Sequence, residues 1–255
     1  MASTEAQVGQ LAARIRSARR ILFVTGAGLS ADSGLPTYRG VSGLYEGRDA
    51  EEGVPIEVAL SGPMLAARPE VAWRHIARIE AACRGARPNP GHAAIAALDA
   101  HADVVVLTQN VDGLHHAAGS REVIDLHGDV RALRCTQCSH GERVADYAEL
   151  TIPPTCPLCQ SLVRPDVVLF EEMLPPKKLL RLQAHLAAGF DVAVAVGTSA
   201  LFAYIAEPLI ALRAEGAFTA EINPGASVLS DEVDLAIRDR AAPVLEAVLT
   251  AVAAG

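Results

Sequence analysis

Short runs of Val, Ile and Leu alternate along this chain with longer segments whose apolar residues recur at helical spacing. The apolar runs, bounded by Gly, Asn and Pro, predict strands over 21–25, 103–108, 123–126, 166–170, 191–197, 218–223 and 233–237. Helices are predicted over 69–84, 92–101, 176–188 and 243–253. An N-terminal helix is also expected, with Val8, Leu11, Ala12 and Ile15 on one face and Thr4 and Gln7 as its capping box. Apolar strands separated by helices imply an α/β fold, a doubly wound and mostly parallel sheet covered on both faces. Ligands in such sheets sit at the carboxyl ends of the strands. Several predicted strands end there in polar turns, at Thr25-Gly26, Thr108-Gln109-Asn110, Gly197-Thr198-Ser199 and Asn223-Pro224-Gly225. One shared site at that edge is expected.

Two segments interrupt the alternation. Residues 40–69 are rich in Gly, Glu and Pro and read as a loop leading into helices, while 131–164 are polar, turn-rich and cysteine-bearing. Composition adds little: 51% hydrophobic and 20% charged residues describe a globular chain of 255 residues, large enough for one core and a small insert. A formal net charge of −8 argues against nucleic-acid binding as the main activity. The N-terminus lacks the apolar stretch of a secretory signal, and the weakly charged run 192–206 is too short to cross a bilayer. A cytoplasmic protein is expected.

Candidate chemistry begins at residues 26–40, GAGLSADSGLPTYRG, which follow the apolar run 21–24. Gly26 and Gly28 would let the backbone approach a pyrophosphate, whose charge suits backbone N–H groups at a helix start. The usual hydride-transfer fingerprint is nevertheless broken. Its third glycine is Ala31, no acidic residue follows a second strand at the expected distance, and Tyr38 and Arg39 sit in the continuing loop. Such a loop fits a protein that handles NAD without hydride transfer.

Cys135 and Cys138, then Cys156 and Cys159, form two CxxC pairs with 17 residues between them. Each pair places two thiolates on one knuckle, and two knuckles complete a tetrahedral Zn²⁺ site. Four protein ligands leave no open position, so the ion would be structural. Disulfides or redox pairs are the competing reading, disfavoured in a chain with no export signal. Cys83, in an apolar helical stretch, reads as a packed side chain.

The turn at Gln109, Asn110 and Asp112 offers amides and a carboxylate for a carboxamide and ribose hydroxyls, though Asn and Asp also favour turns for local reasons. His127, at the end of a predicted strand, has the position of a general base or of a structural histidine. His92, His115 and His116 read as capping, packing or solvated residues.

Taken in order, GAG–S–SG–P–YRG, TQNVDGLH, LHG, the paired CxxC motifs, GTS and EINP resemble the sirtuin family over about residues 8–250. The resemblance implies one catalytic domain. A Rossmann-like part would comprise 1–39, 85–130 and 165–255, with a helical insertion at 40–84 and a zinc module at 131–164. NAD and an acylated lysine of a protein substrate would meet between these parts, in an enzyme expected to be a monomer. NAD would be contacted by Gly26, Ala27, Gly28, Ser30, Tyr38 and Arg39. Gln109, Asn110 and Asp112 would line the nicotinamide-ribose pocket, with Asn110 and Asp112 serving catalysis. Gly197, Thr198, Ser199, Asn223 and Ala241 would hold the adenosine half. The substrate peptide would lie along Val167, Val168, Leu169 and Phe170, against a second loop near Ala203. In the implied reaction the acyl oxygen attacks C1′ of the nicotinamide ribose and nicotinamide leaves. His127 then deprotonates a ribose hydroxyl, which attacks the O-alkylimidate, and water yields free lysine and O-acyl-ADP-ribose.

Relatives that remove succinyl or malonyl groups carry a Tyr-x-x-Arg pair before PNxGH. Here His75 and Arg78 occupy that stretch, so a deacetylase that also accepts acidic acyl chains is expected, with an exposed helical pair as the competing reading. The family's substrate-loop glycine is replaced by Glu171. An ADP-ribosyltransferase or NAD hydrolase, and a non-enzymatic NAD sensor, are the alternative functions.

Overall fold

The computed structural model describes residues 3–37 and 53–255. Its first helix, α1 (Thr4–Ser17), buries Val8, Leu11, Ala12 and Ile15 as their spacing requires. Its cap is Ser3, whose hydroxyl accepts from the amide of Ala6, rather than the expected Thr4. Strand β1 (Arg20–Thr25) follows and runs into the one-turn helix α2 (Ala27–Ser30). Three helices come next, α3 (Ile56–Ala59), α4 (Gly62–Ala67) and α5 (Pro69–Cys83), so most of the described part of the 40–69 stretch is helical. Helix α6 (Pro90–Ala97) opens on a capping box between Asn89 and His92, giving that histidine a structural task.

The chain continues through β2 (Asp103–Thr108), α7 (Leu114–Ala118), β3 (Glu122–Asp125), β4 (Gly128–Cys135), β5 (Gly141–Arg143) and β6 (Val163–Val167). It ends with α8 (Pro176–Ala187), β7 (Val192–Val196), α9 (Ala203–Ala214), β8 (Phe218–Ile222), β9 (Leu235–Ile237) and α10 (Ala241–Ala253). Six strands form a sheet in the order β3-β2-β1-β7-β8-β9, every pairing parallel. The strand predicted over 166–170 does not join it. Val163–Val167 instead pairs antiparallel with β4 in a small β5-β4-β6 sheet. Apolar content alone does not report which sheet a strand enters.

Side chains along β1 alternate between two cores, as a strand's period of two demands. Ile21 and Phe23 pack with α1, α6 and α10, while Leu22 and Val24 pack with α8 and α9. A third core joins α3 and α5 to the small sheet around the fully buried Trp73. Trp73 donates its indole N–H to Val163 O at 3.1 Å and lies 5.5 Å from the Tyr147 ring. No described helix is long and apolar enough to cross a membrane.

Candidate active site

Strand order reverses between β1 and β7, which opens a crevice above their carboxyl ends. The two turns there are held backbone to backbone. Gly26 N donates to Val196 O at 3.1 Å, and Gly28 N donates to Gly197 O at 2.8 Å. A Cβ on Gly28 would stand 2.7 Å from the Gly197 Cα. Gly197 has a φ of 57°, and a Cβ there would meet Leu29 N at 2.3 Å. Glycine is required on both sides because main chain touches main chain.

A cavity of about 580 Å³ fills the crevice. One wall comprises Gly26, Ala27, Gly28, Gln109 and Asn110. Adjoining it are Gly197, Thr198, Ser199, Asn223 and Ala241. His127, Val167, Val168, Leu169 and Phe170 also line the cavity. Polar bonds fix these walls. Gln109 Nε2 donates to Thr198 Oγ1 at 2.8 Å, and Asn223 Nδ2 donates to Thr198 O at 3.0 Å. Asn110 Nδ2 reaches Gly26 O at 3.0 Å and Ser30 Oγ at 3.1 Å. Its Oδ1 is buried without a partner on a residue that lines the cavity, leaving an acceptor for a ligand amide or hydroxyl. Ser30 and Asp112 stand behind Asn110, joined at 2.7 Å, and line a separate small space. Burial pushes the Asp112 carboxyl above its usual range.

His127 Nε2 lies 2.9 Å from the Tyr204 hydroxyl. Burial lowers the His127 ring to about 4, opposed by a backbone hydrogen bond with Gln109 and reinforced by the Lys178 ammonium. The imidazole is therefore neutral at pH 7, the form that can take up a proton.

In the small sheet, the sulfurs of Cys135, Cys138, Cys156 and Cys159 all lie within 4.8 Å of one another. Cys135–Cys159 is 3.4 Å, while Cys138–Cys156 and Cys138–Cys159 are each 3.6 Å. Tetrahedral zinc with 2.3 Å bonds needs sulfurs about 3.8 Å apart, so the four thiols fit the ion. Amides of Gln137 and Cys138 point at Cys135 Sγ, as in a metal-binding knuckle. None of these cysteines lines the large cavity.

Residues 26–203 match the Sir2 family. The chain belongs to that family. Among its Sir2 relatives, NAD-dependent protein deacylase 2 of Pseudomonas aeruginosa is 47% identical over 247 residues, covering 95% of this chain and 96% of the relative. The protein of the same name from Pseudomonas syringae pv. tomato is 50% identical over 240 residues, covering 92% and 96%. A solved Sir2 homologue in complex with ADP-ribose superposes with a TM-score of 0.88 at 35% identity, over 96% of each chain.

Not every residue singled out in the sequence reaches the cavity of this Sir2 protein. Tyr38 and Arg39 lie outside the described residues. His75 is buried and Arg78 exposed, and neither lines the cavity, whereas Ile76 and Ile79 do. The cause is helical phase. Both pairs have i,i+3 spacing, but α5 presents to the cavity the pair one residue later. Tyr204, Asp32 and Arg240 line the cavity without having been anticipated there. Asp32 pairs with Arg240 and accepts from Ala242 N at 3.0 Å, closing the end beside Ala241.

Proposed function

We propose that this chain is an NAD-dependent protein-lysine deacylase that transfers the acyl group to ADP-ribose. The observation that carries the reading is the neutral His127 in the lining of a cavity that the glycine turns also line, beside the 167–170 segment. The glycine turns would take the diphosphate of NAD, the unpaired Asn110 oxygen the nicotinamide-ribose half, and Thr198, Ser199 and Asn223 the adenosine half. Asp112 acts from behind, through Ser30, on the orientation of Asn110. The acyl-lysine would enter along 167–170 and place its carbonyl oxygen on C1′. After nicotinamide leaves, His127 removes the ribose proton and O-acyl-ADP-ribose is released with free lysine. The four cysteines would hold zinc as a fixed strut for the small sheet.

Acyl choice follows from which face of α5 meets the cavity. Ile76, Ile79, Leu60, Val111 and Val130 make that wall apolar. The one lysine or arginine among the described lining residues, Arg240, is engaged by Asp32. An acidic acyl tail would lack a partner there, so neutral acyl groups such as acetyl are favoured over succinyl and malonyl.

One assay tests both readings: a panel of acyl-peptides with NAD, read by mass spectrometry. O-acyl-ADP-ribose from acetyl-peptide, lost in His127→Ala, is the expected result. Nicotinamide release that ignores the peptide would assign the site to an NAD hydrolase or ADP-ribosyltransferase, and binding without turnover would assign a sensor. Faster turnover of succinyl-peptide, reduced by Arg78→Met, would restore the carboxylate-binding role of that helix.

A further inference from the structure

Tyr204 stands in the first turn of α9, after the short loop that leaves Thr198 and Ser199. Its ring stacks on Phe202, with centroids 5.3 Å apart and planes 9° from parallel. The His127 ring meets both edge-on, at 5.9 Å from Tyr204 and 6.5 Å from Phe202. The Tyr204 hydroxyl is 2.9 Å from Nε2 of the base, and Tyr204 is one of the residues that line the cavity. A neutral imidazole has one N–H and one acceptor nitrogen. The Gln109 backbone bond favours the protonated ring and so takes the N–H, which leaves Nε2 as the acceptor for the Tyr204 hydroxyl. A ribose hydroxyl arriving in the cavity therefore finds the lone pair of His127 already covered. The phenolic oxygen keeps lone pairs of its own, through which a second hydroxyl can bond.

We propose that Tyr204 relays the ribose proton to His127. The inference rests on the deacylase reading above. In the relay the ribose O–H gives its proton to the Tyr204 oxygen while the tyrosine's own proton passes to Nε2. The ribose oxygen forms its bond to the acyl carbon as the C=N π pair of the imidate moves onto the lysine nitrogen, Tyr204 ends neutral and His127 ends as imidazolium. That proton remains on the imidazolium for the departing lysine amine. A phenol that stays protonated suits the task, and burial holds the Tyr204 hydroxyl above its usual range. The charged groups around the base do not replace it. The Lys178 ammonium is held by Asp125 at 3.0 Å, and the backbone of Gln109 engages the ring.

The test is Tyr204→Phe, which keeps the ring stack and removes only the hydroxyl. Nicotinamide exchange needs no base on the ribose, whereas acyl transfer does. The expected result is an unchanged rate of peptide-dependent nicotinamide exchange and NAD affinity, with O-acyl-ADP-ribose formation slowed about 10-fold to 100-fold. Single-turnover rates in mixed H₂O and D₂O should curve with deuterium fraction in the wild type, marking two protons in flight, and become linear in the variant. Equal deacylation by both proteins, a parallel fall in exchange and deacylation, or a linear wild-type plot would each overturn the relay. A wild-type protein with neither exchange nor deacylation would overturn the deacylase reading itself.

Discussion

Replacing Gly28 with alanine puts a methyl group 2.7 Å from both the Cα and the carbonyl oxygen of Gly197. Ordinary carbon contacts begin near 3.4 Å, so the two turns must part by about 0.7 Å. Neither side can yield by rotating a side chain, because both obstructing atoms are backbone. The same displacement stretches the Gly28 N to Gly197 O bond from 2.8 Å to the limit of useful geometry. Overpacking of this kind costs about 1–3 kcal/mol, and the weakened hydrogen bond about 1 kcal/mol more. For a chain of this length, that lowers Tm by roughly 5–15 °C. The backbone of the glycine turns, which would pack against the diphosphate, moves as well, so NAD binding measured by calorimetry should weaken at least about tenfold, or ~1.4 kcal/mol. Gly34→Ala is the matched control. Its φ is 83° but nothing lies within 4 Å of a new Cβ, so only backbone strain of about 1 kcal/mol is introduced. A Gly28→Ala protein with wild-type Tm and NAD affinity, or one less damaged than Gly34→Ala, would refute the close-approach reasoning.

Three further outcomes can be checked. Burial lowers His92 to about 4, His115 to about 3 and His127 to about 4, while the unfolded chain takes up these protons near 6.5; stability is therefore full above that pH and falls as pH drops toward 4, by on the order of 1 kcal/mol per pH unit for each histidine. Urea midpoints that do not change between pH 7 and 5 would contradict this. Glu171 holds a φ of 64°, where glycine is unstrained, so Glu171→Gly should stabilise the protein by about 0.5–1 kcal/mol in chemical denaturation; a loss of stability would show that the glutamate makes an offsetting contact. Removing the metal with a chelator should red-shift the emission of Trp73, the one tryptophan, because its indole bonds Val163 in the small sheet; unchanged emission would separate that sheet's order from zinc.

The strands of the main sheet and the cysteine knuckles were legible in the chain because each rests on local chemistry. Val and Leu runs such as 104–107 bury both faces, and a CxxC spacing brings two sulfurs to one turn whatever surrounds it. Positions set by distant partners were not legible. The phase of α5 decides between the 75/78 pair and the 76/79 pair, and both have the same spacing. Ser3 and Thr4 are both good caps, and only the final packing angle of α1 selects one. The strand near 166 carries apolar residues suited to either sheet. Tyr204 meets His127 across 77 residues of sequence, through the docking of α9 on β7 and β8, which brings its first turn to the loop after β3. The Ser30–Asp112 bond likewise joins two turns that are neighbours only because β1 and β2 pair.

The segment 167–170 is tied to three parts of the molecule at once. Val168 N bonds His127 O at 2.9 Å, Phe170 N bonds Leu60 O at 3.1 Å, and Arg164 on β6 bonds Val167 O at 2.8 Å while gripping Glu172. The loop after β3 that carries His127, the helical segment and the cysteine-bearing sheet thus share one short edge. No cysteine lines the cavity, but this edge continues from β6, whose Val163 pairs with Cys135 on β4. Metal occupancy would then divide the two affinities of the enzyme, setting how well a peptide is seated while leaving the grip on NAD alone. A partly metallated preparation would behave as two populations that agree on the cofactor and disagree on the protein substrate.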